Sequence, residues 1–526
     1  MKFQIISINT RSIVIEVLTT TDIFETDEYC IYINHELRMK SKKVIMTIDN
    51  LKPDTSYEII LKSEKSDSDI ISFRTKYESV SLDVKEFGAK GDGIQNDTVF
   101  IQGAINACPR DGRVYLPKGI YKVTNLFLKS DIIIHFENGT VLSAITDRNQ
   151  FAILPGLVES YDEKNEFNLG TWEGNPLSCY ASILTGINVS NVLICGSGTI
   201  DGNASFDNWW KEPKKKVNAY RPRLIFLNNC ETISIQDITF KNSPSWTIHP
   251  YFSKQLKFIN LHIINPKDSP NTDGINPESC NGVDIIGTYF SLGDDCIAIK
   301  SGKVYMGKKY KTPSENIRIH QCFMEHGHGS ITIGSEMAGG VRNVIVSSCF
   351  FSHTDRGLRI KTRRGRGKDG IIDNIIFQHI KMNHVLTPIV INSFYYCDPD
   401  GHSDYVKSKD LLPVDEGTPS IIQLSFKDLE CMNCHVAAAF IYGLPEKKIK
   451  KIHMENISIQ FAGNPQTNIP DMLDDVQPMS CSGIIAYNIE ELDLKNVVIN
   501  GVIGCELSVD NVNELHIDNI SHDLLK

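Results

Sequence analysis

A chain of 526 residues has ample length to bury a core, and two or more domains are expected at this size. Its formal net charge of -10 and its pI of about 5.9 argue against nucleic acid or an anionic membrane as the partner of its surface. No apolar run in the sequence has the length that a membrane-spanning helix needs.

The N-terminal stretch MKFQIISINTRSIVIEV alternates apolar and polar residues and meets Arg11 early. It lacks the apolar region and small-residue cleavage site of a secretory signal, so it is interpreted as a strand. The 14 cysteines follow no framework spacing, and most lie in apolar, strand-like segments. Buried free thiols in a reducing compartment explain this pattern better than disulfides do. We therefore expect a cytoplasmic protein.

Residues 1–77 contain six short strand candidates: FQIISI, SIVIEVL, EYCIYI, KVIMTI, YEIILKS and IISFRT. Tyr57 follows the corner sequence LKPDTS and precedes an apolar strand, which is the tyrosine-corner pattern of a β-sandwich. The segment resembles a fibronectin type III module. A packing or spacer role is favoured for it over carbohydrate binding.

The pattern changes after residue 77. Asp97 is placed to cap a helix formed by TVFIQGAINAC. From there to residue 526 the chain repeats one theme, a short β-branched strand followed by an Asn, Gly or Ser turn, every 20 to 35 residues. Repeats of this length without intervening helices predict a solenoid. The predicted fold is all-β: a right-handed parallel β-helix over 78–526, with the early helix covering one end, preceded by a small β-sandwich over 1–77.

Residues at matching places in successive coils of a β-helix lie about 4.8 Å apart. Asp273 precedes Asp294 by 21 residues and Asp295 by 22, which is about one coil. His328 follows about a coil and a half later, and the segment Arg359–Lys361 about one coil after that. The spacing predicts a cleft with three carboxylates, an imidazole and two cations on one face.

Four short motifs in this order resemble the signature segments of glycoside hydrolase family 28, the polygalacturonases. They are Asn271-Thr272-Asp273-Gly274, Gly293-Asp294-Asp295-Cys296, Gly327-His328-Gly329 and Arg359-Ile360-Lys361. One tetrapeptide alone would be weak support, whereas the ordered set at coil spacing is specific. The resemblance covers roughly residues 80 to 510.

The resemblance implies an inverting hydrolase, in which one carboxylic acid protonates the leaving oxygen while carboxylate on the other face activates water. It makes Asp294 the general acid, lets Asp273 and Asp295 hold and deprotonate the water, and places His328 beside the acid. Crowding of three carboxyls is expected to raise at least one pKa.

Arg359 and Lys361 flank Ile360, so both side chains leave the same strand face and suit a substrate carboxylate. Tyr395 and Asn271 are also assigned to substrate binding by the resemblance, although Tyr396 leaves the register of the tyrosine open. The basic segment 362–368 is either a polyanion contact or a solvated turn. Insertions at 155–178 and 398–418 are candidate walls of the cleft.

The predicted function is cleavage of α-1,4-galacturonosyl linkages in oligogalacturonate or polygalacturonate. Exo action is favoured, because a cytoplasmic enzyme meets imported fragments and because the long insertions could close one end of the groove. Alternatives are an endo-polygalacturonase, a rhamnogalacturonan or xylogalacturonan hydrolase, a pectate lyase, and a non-catalytic β-helix that binds carbohydrate. No metal-ligand set stands out, and no cofactor is expected.

Overall fold

A computed structural model describes residues 2–18, 24–64, 67–159 and 166–521. Two antiparallel sheets form the N-terminal part. The three-stranded sheet contains Phe3–Ile8, Ile13–Val17 and Ile45–Ile48; the four-stranded sheet contains Glu36–Lys43, Phe24–Ile33, Ser56–Lys62 and Ile71–Arg74. Their alternating apolar residues share one buried core. Strand Glu36–Lys43 was not predicted, because it is mostly exposed and has no apolar alternation.

The tyrosine of the predicted corner is held by the backbone five residues upstream. The amide of Lys52 donates a hydrogen bond to the Tyr57 hydroxyl at 2.9 Å, and the Tyr57 ring stacks on Phe73. This contact has the character of a tyrosine corner. The likeness of the N-terminal part to a fibronectin type III module stays a prediction.

The parallel sheet begins at Ser81–Asp83, and its strands form three faces. The first sheet contains Ser81–Asp83, Gly112–Leu116, Ile132–Phe136, Ser190–Gly196, Glu231–Gln236, Lys254–Ile259, Asn281–Ile286, Ser314–His320, Val341–Ser347, Ile371–Asn383, Ser420–Ile421, Gln423–Cys434, Ile449–Phe461, Ser482–Asn500 and Leu507–Ser521. The second sheet contains Asp92–Asn96, Gly119–Val123, Thr140–Ala144, Thr199–Asp201, Thr239–Lys241, His262–Ile264, Tyr289–Ser291, Phe323–His326 and Phe350–Ser352.

The third face, here called the cleft sheet, contains Leu126–Phe127, Leu184–Ile187, Ile225–Asn228, Ile248–Tyr251, Ile297–Ile299, Ile331–Gly334, Arg356–Lys361, Thr387–Asn392 and Ala437–Tyr442. Two small hairpins lie outside the coils: Ile153–Leu154 with Cys179–Tyr180, and Leu157–Glu159 with Glu166–Asn168. The helices are α1 (Thr98–Ala107), α2 (Val304–Tyr310) and α3 (Asp404–Lys407), with single 3-10 turns at Val84–Phe87 and Arg148–Gln150. The predicted parallel β-helix is confirmed.

Inward side chains of the cleft sheet stack in a continuous apolar column. Ile275 pairs with Ile297, Ile297 with Ile331, and Ile331 with Leu358, and all are fully buried. Because side chains alternate across a strand, every inward residue leaves its two neighbours facing outward. Arg359 and Lys361, the two neighbours of the buried Ile360, therefore lie on the outer face of this sheet, above a core that holds the strands in register.

Asparagines mark the turns because the backbone there adopts a left-handed conformation. Asn316, Asn343 and Asn374 all have φ between 52° and 56°, and each donates from its Nδ2 to the side chain of the asparagine one coil before it, Asn281 in the case of Asn316. Asparagine tolerates this conformation better than residues with bulkier side chains. The Asn-rich turns of the sequence thus form a ladder along the solenoid.

Helix α1 packs Ile101, Ala104 and Ile105 into the core at the N-terminal end of the β-helix. Asp97 occupies the N-cap position as predicted, but its carboxylate does not cap the helix. It is fully buried and accepts hydrogen bonds from the amides of Lys90 and Gly91 instead, so it fixes the preceding turn.

The N-terminal sheets dock on the first sheet of the β-helix, away from the cleft sheet. Val14 and Ile45 pack against Ile259 and Ile286, and the Thr47 hydroxyl donates to Asp237 at 2.8 Å. All 14 cysteines are free thiols, and most are buried in the strands, as predicted. Within the described ranges, no helix is both long and apolar enough to cross a membrane.

Candidate active site

The first two motifs meet because they lie one coil apart. Ile275 pairs with Ile297, a spacing of 22 residues, and the Gly274 amide donates to the Asp295 carbonyl at 3.1 Å. Asp273, Asp294 and Asp295 consequently line one cavity of about 170 Å³ on the outer face of the cleft sheet. The structure thus brings together the three carboxyls that the spacing placed on one face.

The Gly-His-Gly motif lies one coil above the aspartate pair, not the coil and a half that its spacing suggested. Ile331 pairs with Ile297, so this coil has 34 residues, and α2 accounts for the extra length. A Cβ atom on Gly329 would lie 2.9 Å from the Asp295 carboxylate and 2.3 Å from the Thr332 hydroxyl. One on Gly327 would lie 2.8 Å from the Asp294 carbonyl. The two glycines are therefore what allows this coil to approach the carboxyls.

Asp294 and His328 form a partly exposed pair. His328 Nδ1 lies 3.3 Å from Asp294 Oδ1, with side-chain exposures of 53% and 21%. The hydrogen bond with Asp294 raises the pKa of His328 above its usual value. Asp294 is thus the carboxyl of the three that is open to an incoming ligand.

Asp295 is buried between two cations. Lys361 Nζ donates to its Oδ2 at 2.7 Å, and Arg359 Nη1 lies 3.5 Å from its Oδ1. Burial alone would raise the pKa of Asp295, but Lys361 and then Arg359 outweigh burial and hold that pKa well below its usual range. Asp295 is therefore the carboxylate that stays ionised.

Asp273 has the opposite environment. It is 3% exposed, and its Oδ2 accepts a hydrogen bond from Asn276 at 2.7 Å. Burial and then the neighbouring Asp294 raise the pKa of Asp273 well above its usual value. The raised pKa of Asp273 thus comes first from burial and second from the crowding of carboxyls that the sequence predicted.

Arg359 forms an ion pair with an acid that the spacing of the motifs did not predict. Its Nη2 donates to Asp471 at 2.6 Å, and Asn392 donates to the other Asp471 oxygen at 3.1 Å. Asp471 is fully buried and lies 112 residues after Arg359. No coil spacing links these two residues. The sequence offered no signal for Asp471 beyond the presence of an acid in the segment NIPDM.

The predicted substrate-binding residues are divided between the cavity and the layer below it. Lys361, Tyr395 and Asn271 line the cavity, whereas Arg359 lies beneath, 5.5 Å from the Tyr395 ring. Of the two tyrosines between which the sequence left the choice open, Tyr395 lines the cavity, whereas Tyr396 packs on His402. Asn271 accepts a hydrogen bond from Arg221 at 2.7 Å. The roles of all these residues in binding stay predictions.

The arginines of the basic segment 362–368 form neither a polyanion contact nor a solvated turn, the two alternatives that the sequence left open. Arg363 and Arg366 both donate to Asp398, and Arg364 donates to Glu446. All three arginines are buried. They act as internal ion-pair anchors for the residues after Asp398, and so are unavailable to a polyanion.

Three insertions join into one wall beside the cavity. The Lys303 amide, just before α2, donates to the Gly174 carbonyl at 2.9 Å, and the Lys303 ammonium pairs with Asp398 at 2.8 Å. Glu166 bonds Tyr310 of α2 at 2.5 Å. The predicted wall segments 155–178 and 398–418 are thereby linked through α2, although residues 160–165 lie outside the described residues. Glu173 and Asp398 line the cavity from this wall.

Glu491, Asp493 and His516 form the one group of three potential metal ligands that the described residues offer. It lies on the last two strands of the first sheet, outside the cavity lining. Lys451 already pairs with Glu491 at 2.6 Å and with Asp493 at 3.4 Å. Both acids are thus neutralised by a side chain.

An ionised carboxylate, a carboxyl of raised pKa and a third carboxyl in one cleft are the groups that acid–base hydrolysis of a glycosidic bond requires. Sequence comparison agrees. The family Glycosyl hydrolases family 28 matches residues 156–481, and a rhamnogalacturonase A/epimerase, pectate lyase-like family matches residues 81–156. The chain belongs to glycosyl hydrolase family 28.

Relatives support this membership over most of the chain. A probable polygalacturonase of Vitis vinifera is 30% identical over 431 residues, which are 79% of this chain and 83% of that protein. An exo-poly-alpha-D-galacturonosidase of Dickeya chrysanthemi is 24% identical and covers 84% of this chain and 77% of its own. The solved exopolygalacturonase of Yersinia enterocolitica superposes with a TM-score of 0.73 at 18% identity, covering 98% of this chain and 99% of that one.

Proposed function

We propose that this glycoside hydrolase cleaves α-1,4-galacturonosyl linkages by single displacement with inversion. The observation that carries the proposal is the division among the three carboxyls. Asp295 is held ionised by Lys361 and Arg359, whereas Asp273 and Asp294 lie close enough for one carboxyl to raise the pKa of the other. Separate environments of this kind supply a base and an acid in one cleft.

In the proposed reaction, Asp295 accepts a proton from the attacking water and Asp294 donates a proton to the leaving oxygen. Asp294 suits the second role because its side chain is partly exposed and is oriented by His328. The resemblance assigned Asp273 to the water together with Asp295. Because Asp273 is buried and interacts electrostatically with Asp294, we propose instead that it supports the acid. The glycosidic carbon–oxygen bond breaks as the bond to water forms, and the anomeric centre inverts.

We propose further that cleavage is exo-acting. The linked wall of the hairpin, α2 and the segment after Asp398 supports a cavity that takes the end of a chain. Two relatives that align over most of this chain are described as exo-acting. An endo-polygalacturonase of Pectobacterium carotovorum is 30% identical but covers 57% of this chain.

A product analysis tests both proposals. Purified protein is incubated with a defined oligogalacturonate, and products are followed by chromatography and by proton NMR. Monomer alone from the first time point, with the inverted anomer appearing first, is the expected result. A ladder of sizes would indicate endo cleavage. Unsaturated products that absorb in the ultraviolet and disappear with a chelator would indicate a lyase.

A cytoplasmic location is also proposed, supported by the 14 free thiols. Cell fractionation followed by immunodetection tests it. Recovery of the protein outside the cytoplasmic fraction would contradict the proposal.

A further inference from the structure

A lysine-rich loop borders the cavity between two strands of the β-helix. Residues 211–216 read KEPKKK and follow the buried pair Trp209 and Trp210. All four lysines of this loop are exposed, and Lys215 pairs with Glu212 at 3.1 Å. The remaining lysines, Lys211, Lys214 and Lys216, give the loop a net positive charge on a protein whose overall charge is -10.

The loop is held in place at both ends. Trp210 Nε1 donates to the Ser243 carbonyl at 3.0 Å, and Trp209 packs with Phe151 and Tyr180 in a separate small core. At the other end, the Tyr180 hydroxyl donates to the Val217 carbonyl at 2.7 Å. The lysines therefore project from a fixed support, so their position relative to the cavity is defined.

The cations inside the cleft are already paired with acids. Lys361 pairs with Asp295 at 2.7 Å, Lys300 with Glu336 at 2.8 Å, and Lys303 with Asp398 at 2.8 Å. Arg359 pairs with Asp471 at 2.6 Å. An added carboxylate would have to compete with a protein carboxylate for each of these groups.

Lys214 differs from them in lining the cavity without an ion pair or hydrogen bond among the described residues. It faces the part of the cavity that also contains Glu173 of the wall. Lys211 and Lys216 extend the positive charge from this point over the surface. Lys214 interacts electrostatically with Glu173 but forms no ion pair with it, so the three lysines offer positive charge that begins at the cavity and leads away from it.

We propose that Lys214 at the edge of the cavity, with Lys211 and Lys216 beyond it, binds carboxylates of the substrate chain that extend out of the cavity, and that these lysines so set the preference for chain length. The inference rests on the proposed function, because it takes the substrate to be a polyuronate. A chain whose end unit fills the cavity would place its next units along this loop. Exposed charges of this kind act mainly on association and are sensitive to salt.

The test uses the full-length protein and a triple variant, Lys211→Gln/Lys214→Gln/Lys216→Gln. The value of KM is measured for digalacturonate and tetragalacturonate at low and high salt. We expect KM for tetragalacturonate at low salt to rise roughly tenfold in the variant, with a much smaller rise for digalacturonate. High salt should raise KM of the unmodified enzyme towards that of the variant.

Two controls separate the loop from general charge effects. Lys40→Gln/Lys42→Gln/Lys52→Gln removes the same charge from exposed sites on the N-terminal sheets and should leave both KM values unchanged. Replacement of the three loop lysines by arginine should restore the preference for the longer chain. Equal changes for both substrates, or equal effects of both triple variants, would overturn the inference.

Binding separates this inference from the proposed reaction. Titration calorimetry of tetragalacturonate into Asp294→Asn protein, with and without the loop substitutions, needs no turnover. If binding depends on the loop lysines but the unmodified enzyme does not hydrolyse the substrate, the proposed function is contradicted and the proposed role of the loop is supported. Hydrolysis by the unmodified enzyme, together with equal binding by Asp294→Asn protein with and without the loop substitutions, would support the proposed function and contradict the proposed role of the loop.

Discussion

At the scale of single residues, the cleft separates three chemically identical side chains by their surroundings. Asp295 lies between Lys361 and Arg359, Asp273 is buried beside Asn276, and Asp294 is open to the cleft beside His328. Paired cations favour the ionised form of a carboxyl and burial favours the neutral form. The same residue type can therefore supply both the base and the acid.

Replacement of Asp294 by asparagine removes the proposed acid with almost no change in shape. We expect kcat on oligogalacturonate to fall by roughly 10²- to 10⁴-fold, because that is the usual contribution of a positioned acid or base. Reducing-sugar release gives kcat, and calorimetry checks that the melting temperature is maintained. Asp268→Asn, at an exposed position in the loop that contains Asp273, is the matched control. Undiminished release by Asp294→Asn would show that the acid lies elsewhere.

The pair of Asp294 and His328 predicts the alkaline limb of the pH profile. The pKa of His328 is raised by Asp294, so the imidazolium persists above the usual histidine value of about 6.5 and is lost as pH rises through the folded-state pKa. We expect kcat/KM to fall over that range, because the proton of His328 is then lost from the cleft. Gln does not titrate, so His328→Gln should remove this limb from the profile. His379→Gln, whose imidazole pairs with Asp428, is the control. An unmoved limb in His328→Gln would exclude this role.

At the scale of structural elements, the turns and the insertions have different structural roles. The asparagine turns hold successive coils in register through side-chain bonds between left-handed residues. The insertions leave the coils and join beside the cavity through Lys303 and Asp398. The coils thus provide the positions of the motifs, and the insertions provide the shape of the cavity.

Asn343 is a test of the turn ladder. It has φ of 55° and bonds to Asn316 and Asn374 on either side. Asn343→Ala loses both bonds and puts into the left-handed region a residue without the polar side chain that lets asparagine adopt it, which costs about 1–2 kcal/mol of stability. Asn343→Gly loses the bonds alone, so its melting temperature in calorimetry should lie between those of the alanine variant and the unmodified protein. Equal melting of the two variants would mean that the backbone conformation carries no cost here.

The wall predicts a change in product size. Asp398 pairs with Lys303, Arg363 and Arg366, so Asp398→Ala removes the contact that joins α2 to the following segment. We expect dimers and trimers to appear beside monomer when products of a long oligogalacturonate are separated by chromatography. Asp400→Ala removes a 61% exposed partner of Arg363 alone and should leave the product pattern unchanged. Monomer alone from both variants would show that this contact does not limit the cavity.

At the scale of the whole molecule, the N-terminal sheets pack against the first sheet of the β-helix while the reaction cleft lies on another face. Val14 and Ile45 cover Ile259 and Ile286, which would otherwise be exposed apolar surface on the solenoid. Burial of such surface is favourable in proportion to its area. The N-terminal part thus stabilises the solenoid, and none of its described residues lines the cavity.

Ile45→Asp tests this separation. It places a carboxylate in an apolar interface, where an unpaired charge is unfavourable. We expect calorimetry to show a melting temperature lower by several degrees, with kcat at a permissive temperature unchanged. Ile94→Asp is the control, because Ile94 is 87% exposed. A loss of kcat in folded Ile45→Asp protein would indicate that the interface is coupled to the cleft.

The sequence by itself determined the coil architecture, the four motifs and the meeting of Asp273, Asp294 and Asp295. Those features depend on alternation within strands and on a repeat of nearly constant length, and both are local properties of the chain. It also placed Lys361 and Tyr395 near the carboxyls. The spacing of His328 was misjudged because α2 lengthens one coil to 34 residues.

Only the tertiary structure decided which charges are paired. Asp471 reaches Arg359 from 112 residues away, Asp398 reaches three cations through an insertion, and Lys214 is left without a partner among the described residues. Insertions vary in length and leave the coil repeat, so no periodicity links their residues to the sheet beneath. Ion pairing depends on distances of a few ångströms, and these are set once the insertions have packed.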